Sequence, residues 1–146
     1  MFRTVSLLFI VFLFLSCKQG KQFPVFHPSH EQSRANIPFS DAVETENLFF
    51  LTGQIGKDHK SGQLVDGGIS AETQQVILNI RDVLEQHQLG LNNVVKCTVI
   101  LKDINDFPQF NEVYKKYFIK KPARTTFAAD GLAGGASIEI DVVAYK

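Results

Sequence analysis

Val94-Val95-Lys96-Cys97-Thr98-Val99-Ile100-Leu101 is the stretch on which the fold turns. Apolar and β-branched residues dominate it, and alternation puts Val95, Cys97, Val99 and Leu101 on one face of a strand. Val94 and Ile100 on the other face are apolar too, so the strand is covered at least partly on both sides. Helical patterns lie on either side of it. Upstream, Ser70 is a good N-cap, and Val76, Ile77, Ile80, Val83 and Leu84 recur at helical spacing until Leu89-Gly90 supplies a stop. Gln75, Asn79, Arg81, Asp82 and Glu85 fall mainly off that stripe and read as solvated. Downstream, Asp106 is an N-cap for a second helix with Phe107, Phe110, Val113, Tyr114, Tyr117 and Phe118 on its apolar side.

Strand patterns complete the order at both ends. Phe39 to Thr52 reads as a β-hairpin turning at Thr45-Glu46-Asn47, with Leu48-Phe49-Phe50-Leu51 as a largely buried strand. In Thr52-Gly53-Gln54-Ile55-Gly56 the first glycine either admits a close approach to the backbone or marks a bulge. Lys57 to Gly68 reads as a loop or short hairpin with His59 in solvent. The last strands run about 125–130 and 137–145, joined by Gly131-Leu132-Ala133-Gly134-Gly135. Those glycines lack nucleotide-loop spacing and precede a strand pattern, so they read as a turn. Along the final strand Ile138, Ile140, Val142 and Ala144 share one face and leave Glu139 and Asp141 on the other. The order predicts an α+β domain, a mixed sheet backed by two helices. Two helices cover only one face of such a sheet, so the other face wants a partner subunit.

The chain of 146 residues carries 15 basic and 15 acidic side chains with no basic run, which argues against a nucleic-acid surface or a polybasic membrane patch. Its opening differs from the rest. Arg3 precedes an apolar run from Val5 to Leu15, then Ser16-Cys17-Lys18, the parts of a secretory signal and too short for a membrane span. A cysteine in that place resembles a bacterial lipoprotein cleavage site, with Phe14 where leucine is usual. The expected organisation is a signal peptide over 1–16, a lipidated Cys17 and tether over 17–36, and a folded domain over 37–146, anchored in the bacterial cell envelope and facing the periplasm or the surface. An unlipidated signal or an uncleaved anchor would export the domain equally. With Cys17 lipidated, Cys97 has no partner for a disulfide and reads as a small buried hydrophobe, with a nucleophilic role as the alternative. His27 and His30 lack further ligands at metal spacing, so no metal is expected.

The chemistry-bearing residues are Arg124, in Pro122-Ala123-Arg124-Thr125-Thr126, and Glu139, in Ser137-Ile138-Glu139-Ile140-Asp141. An arginine and a carboxylate on successive strands are expected to face each other across the sheet. The guanidinium suits a two-point clamp on a substrate carboxylate, and Glu139 suits the holding or activation of a water. An ordinary exposed ion pair is the plainer alternative.

Together with Ile37-Pro38-Phe39, Thr52-Gly53-Gln54-Ile55, Asn93-Val94-Val95-Lys96, Asp103-Ile104-Asn105-Asp106-Phe107 and Asn111-Glu112-Val113-Tyr114, these segments resemble the reactive-intermediate deaminase family, also called the Rid or YjgF family, over roughly residues 33–146. The resemblance implies a chorismate-mutase-like (ferredoxin-like) fold and a homotrimer with sites in the clefts between subunits. It implies hydrolysis of enamines and imines such as 2-aminoacrylate to 2-keto acids and ammonia, a 2-iminobutanoate/2-iminopropanoate deaminase-like activity without cofactor. By the same resemblance Arg124 binds the substrate carboxylate, Glu139 handles the water, Thr52 hydrogen-bonds nearby, and Phe39, Asn111 and Thr126 border the substrate. Phe39, Thr52 and Thr126 stand where the family often has tyrosine, serine and cysteine, which implies altered preference or rate. The alternative is an exported binding or interaction module for small carboxylates. Endoribonuclease activity, reported for some relatives, is disfavoured by the neutral charge.

Overall fold

Alternating apolar residues build the sheet, and two amphipathic helices close one side of it. The computed structural model describes residues 24–146; the expected signal peptide and Cys17 lie outside the described residues. The strands are β1 (Val25–His27), β2 (Ala42–Glu44), β3 (Leu48–Leu51), β4 (Gln54–Ile55), β5 (Lys57–Asp58), β6 (Gln63–Leu64), β7 (Val94–Leu101), β8 (Ala123–Ala128) and β9 (Ile138–Tyr145), with helices α1 (Gly68–Gln86) and α2 (Phe107–Tyr117). The main sheet runs β1-β2-β3-β9-β7-β8, β4 adds to β9, and β5 and β6 form a separate hairpin. Among the described residues only β7 and β8 pair in parallel, joined by the α2 crossover, so the sheet is mixed as expected.

The helix side of β9 carries Ile138, Ile140, Val142 and Ala144, all essentially inaccessible, against Val76, Ile77, Ile80, Val83 and Leu84 of α1 and Phe110 of α2. Each large side chain removed from water there contributes roughly 1.5–3 kcal/mol. Among the described residues no layer covers the opposite side. Phe26, Phe50, Phe127 and Tyr145 share it by register and are all about half exposed or more.

Several expectations need correction. Part of the tether is sheet: β1 pairs with β2 through Val25↔Glu44, and buried Glu44 accepts hydrogen bonds from His27 Nε2 at 2.9 Å and Lys146 Nζ at 2.7 Å. A bulge between Val94 and Lys96 moves Val95 out to solvent and puts Val94, not Val95, in the core with Cys97, Val99 and Leu101. Helix α1 starts at Gly68 behind a left-handed Gly67, ahead of Ser70. It ends at Gln86, not at a glycine, and Gln88 beyond it takes the left-handed turn, its φ of 60° letting the Leu89 N–H reach back to the Leu84 carbonyl. Asn79 is buried, not solvated, and His59 is tied down by Glu31.

Candidate functional site

Glu139 lies on the open side of β9, flanked by Ile55 of β4 and Ile100 of β7. Its carboxylate rests against Gly53, where a Cβ would stand 2.0 Å from the Glu139 Oε1. Glycine here is therefore the close approach that the sequence offered as one reading. Burial, then the neighbouring Asp141, pushes the Glu139 carboxyl above its usual range. Asp141 is raised by burial as well, against a lowering hydrogen bond from Thr98 and the charge of Lys96.

Around Glu139 opens a cavity of about 650 Å³ whose walls include Phe39, Thr52, Gly53 and Glu139. Its rim is built by pairs between distant segments. Arg34 binds Asp41 at 2.8 Å, Asp41 accepts the Thr52 N–H through its backbone carbonyl at 3.0 Å, and His59 bonds Glu31. Helix α1 holds the other wall. Asn79 Nδ2 donates to the carbonyls of Ile55 at 3.2 Å and Lys57 at 2.9 Å, and Glu72 accepts from the backbone and hydroxyl of Ser137 at 2.8 and 2.6 Å.

Arg124 belongs to a different place. Its guanidinium carbon lies over the rings of Tyr114, Phe110 and Phe107 at 4.6, 5.0 and 5.5 Å, a cation–π seat that fixes the group. It borders a second cavity of about 650 Å³ with Asn111, Tyr114, Phe118, Ile119 and Pro122. Thr126, two residues on and on the same side of β8, has a buried hydroxyl without a hydrogen-bond partner among the described residues and does not line this cavity. Beneath, the Tyr114 hydroxyl donates to the Cys97 sulfur at 3.3 Å. Burial pushes the Cys97 thiol up to about 11, so it stays protonated at neutral pH and is no nucleophile.

The expectation that Arg124 and Glu139 face each other is thus wrong within one chain. Strand β7 lies between β8 and β9, Arg124 pairs across to Cys97 and Val142 on the helix side, and Glu139 pairs with Ile100 and Phe127 on the open side. The structure brings Arg124 together with Asn111, and Glu139 together with Thr52 and Phe39, in two separate cavities. Among the described residues no group of three or more His, Cys, Asp or Glu side chains is placed to hold a metal, and no helix is long and apolar enough to cross a membrane. Arg34, Asp41 and Glu72 are not singled out by sequence, and Asn79 is read there only as solvated. Glu72 and Asn79 carried a signal, since both fall on the apolar stripe of α1 with Ile69, Val76 and Ile80.

A family model described as Endoribonuclease L-PSP matches residues 30–146. The chain is 46% identical over 110 residues to a RutC family protein of Pyrococcus horikoshii, covering 75% of this chain and 87% of the relative. It is 44% identical over 110 residues to the human 2-iminobutanoate/2-iminopropanoate deaminase, covering 75% and 80%. The crystal structure of RidA from the Antarctic bacterium Psychrobacter superposes with a TM-score of 0.73 at 31% identity, covering 86% of this chain and 100% of that one.

Proposed function

The chain belongs to the Rid/YjgF (endoribonuclease L-PSP) family, and on that premise we propose that it hydrolyses reactive 2-imino acids and their enamine tautomers to 2-keto acids and ammonia. The observation that carries the reading is the division of the needed chemistry between two cavities, one with an aromatic-seated arginine and one with a carboxyl raised by burial. Docking of a second copy joins the Arg124 cavity of one subunit to the Glu139 cavity of its neighbour. The uncovered apolar side chains Phe26, Phe50, Phe127 and Tyr145 support such an assembly, and the family resemblance makes it a trimer.

In the joined site the Arg124 fork holds the substrate carboxylate with Asn111 beside it, a charge-assisted contact contributing about 1.5–3 kcal/mol. Glu139 takes a proton from the water attacking the imine carbon and passes it to nitrogen, which leaves as ammonia while the carbonyl forms. The sum is iminium acid plus water giving keto acid plus ammonium. A carboxyl raised above its usual range suits both halves of that transfer, and a positioned general base contributes on the order of 10²–10⁴ in rate. Thr52 supplies a hydroxyl beside it, and Phe39 an apolar wall.

The test is keto-acid release from freshly generated 2-aminoacrylate by the purified protein, with Arg124→Ala and Glu139→Ala alongside. Acceleration by the parent, lost in both variants while they remain folded oligomers, supports the proposal. A parent rate equal to buffer across several imino acids ends it. We also propose that the protein is exported and lipidated at Cys17. A diacylglycerol mass on the N-terminal peptide, absent in Cys17→Ser, supports this, and an unmodified Cys17 in a chain beginning at Met1 refutes it.

A further inference from the structure

The Glu139 cavity is electrically lopsided. Four of its lining residues, Arg34, Lys57, His59 and Lys60, are basic or become so on protonation, and Glu139 is the only acid among them. Two of the four have partners: Arg34 is held by Asp41 and His59 by Glu31. Lys57 and Lys60 form no ion pair with a carboxylate among the described residues. Asp58, between them in sequence, accepts the Lys60 backbone N–H on one carboxylate oxygen at 2.9 Å, which shapes the turn, and pairs with neither lysine's ammonium at ion-pair distance.

The two lysines stand on a fixed platform. Asn79 pins the Lys57 carbonyl from α1, the Gly56 carbonyl accepts the Val65 N–H at 2.9 Å, and the tip closes through Gly62 N–H to the Asp58 carbonyl at 2.8 Å with Gly62 at φ 72°. They line the same cavity as Glu139, whose carboxyl is raised by burial and by Asp141. The cavity thus offers a proton-handling group together with two lysines that no carboxylate pairs among the described residues.

Resting on the reading above, we propose that the preferred substrate is a 2-imino acid whose side chain ends in a second anionic group, bound by Lys57 and Lys60 of the β5–β6 hairpin. Arg124 of the neighbouring copy takes the carboxylate next to the imine, which leaves the side chain to run from Glu139 towards the hairpin. A methyl or ethyl side chain gives the lysines nothing to bind, whereas a carboxylate at the end of the side chain gives them an anion. Lys57 and Lys60 are then specificity residues and touch no reacting atom.

The experiment compares kcat/KM for 2-iminoglutarate and 2-iminobutanoate, each generated in the cuvette by an amino acid oxidase with catalase present, for the full-length parent and the Lys57→Ala/Lys60→Ala double variant. The parent prefers the diacid, and the ratio of the two kcat/KM values falls by about tenfold or more in the double variant, the size of a lost charge-assisted contact. The charge-reversed Lys57→Glu/Lys60→Glu protein takes the ratio lower still. Both lysines lie on the surface, so these variants fold. A parent that turns over 2-iminobutanoate without favouring the diacid overturns the inference and leaves the deaminase reading standing, as does a ratio unmoved by the substitutions. Failure to accelerate either imine overturns the deaminase reading and this inference with it.

Discussion

Replacing Gly53 by alanine adds one carbon at the point where Glu139 touches the backbone. That carbon would stand 2.0 Å from Oε1, 2.9 Å from Cδ and 3.1 Å from Cγ of Glu139. Ordinary carbon contacts are about 3.5 Å or more, so the carboxylate oxygen must retreat by about 1.5 Å. Because Cδ and Cγ are also crowded, turning the carboxylate in place does not suffice and the side chain must change rotamer. A displacement of about 1 Å in a catalytic group costs roughly 10²-fold in rate. The backbone itself tolerates the change, since Gly53 is not among the positive-φ glycines. Alanine at a compatible site even restricts the unfolded chain, a stabilisation of about 0.4–1 kcal/mol. The expected protein is folded, of parent thermal stability or slightly better, and about a hundredfold slower in keto-acid release from 2-iminobutanoate, read as kcat/KM beside a melting curve. Parent activity in Gly53→Ala would refute the role given to the Glu139 position, and loss of folding would refute the reasoning about the backbone.

Asp141→Asn removes a like charge that helps raise Glu139, so the acidic limb of the kcat/KM profile moves to lower pH, and an unmoved limb contradicts the coupling. The same change should raise the melting temperature at neutral pH. Folding raises the Asp141 value, so in the parent its carboxyl favours the folded state only while protonated, and the advantage of asparagine shrinks as pH falls through that raised value and is gone below about 4. Asn79→Leu leaves the Ile55 and Lys57 carbonyls without their donor at a cost of roughly 1–3 kcal/mol each, read by denaturant unfolding. Cys97, inaccessible and with its thiol pushed up to about 11, should escape alkylation at pH 8 in the native protein and be labelled in guanidinium, as peptide mass mapping would show.

The core of this molecule could be read from period alone because its helices and central strands each bury one regular face. Ile138, Ile140, Val142 and Ala144 turn inward as alternation requires, and Val76, Ile77, Ile80, Val83 and Leu84 form the buried stripe of α1. The bulge at Val94/Lys96 could not be read, since a strand apolar at Val94 and Val95 alike fits either parity. Nor could the strand order. Arg124 and Glu139 seemed neighbours because β8 and β9 are consecutive in sequence, but the α2 crossover sets β8 parallel to β7 and leaves β7 between them. Edge strand β1 escaped notice because three residues among prolines and polar groups carry too short a pattern. Asn79 was read as solvated and Glu72 passed over, although both stand on the buried face of α1, where a polar residue marks a buried hydrogen-bonding task.

The most direct test of a site divided between copies is complementation. Arg124→Ala and Glu139→Ala subunits are each purified, mixed in equal amounts, dissociated and reassembled, and assayed for keto-acid release from 2-iminobutanoate. Every site in either pure variant lacks one half, whereas a mixed ring places an intact Arg124 beside an intact Glu139 at some interfaces. Random reassembly of a cyclic oligomer predicts recovery of about a quarter of the parent activity from two inactive parents. No recovery in a mixture shown by native mass spectrometry to contain mixed oligomers would contradict the account.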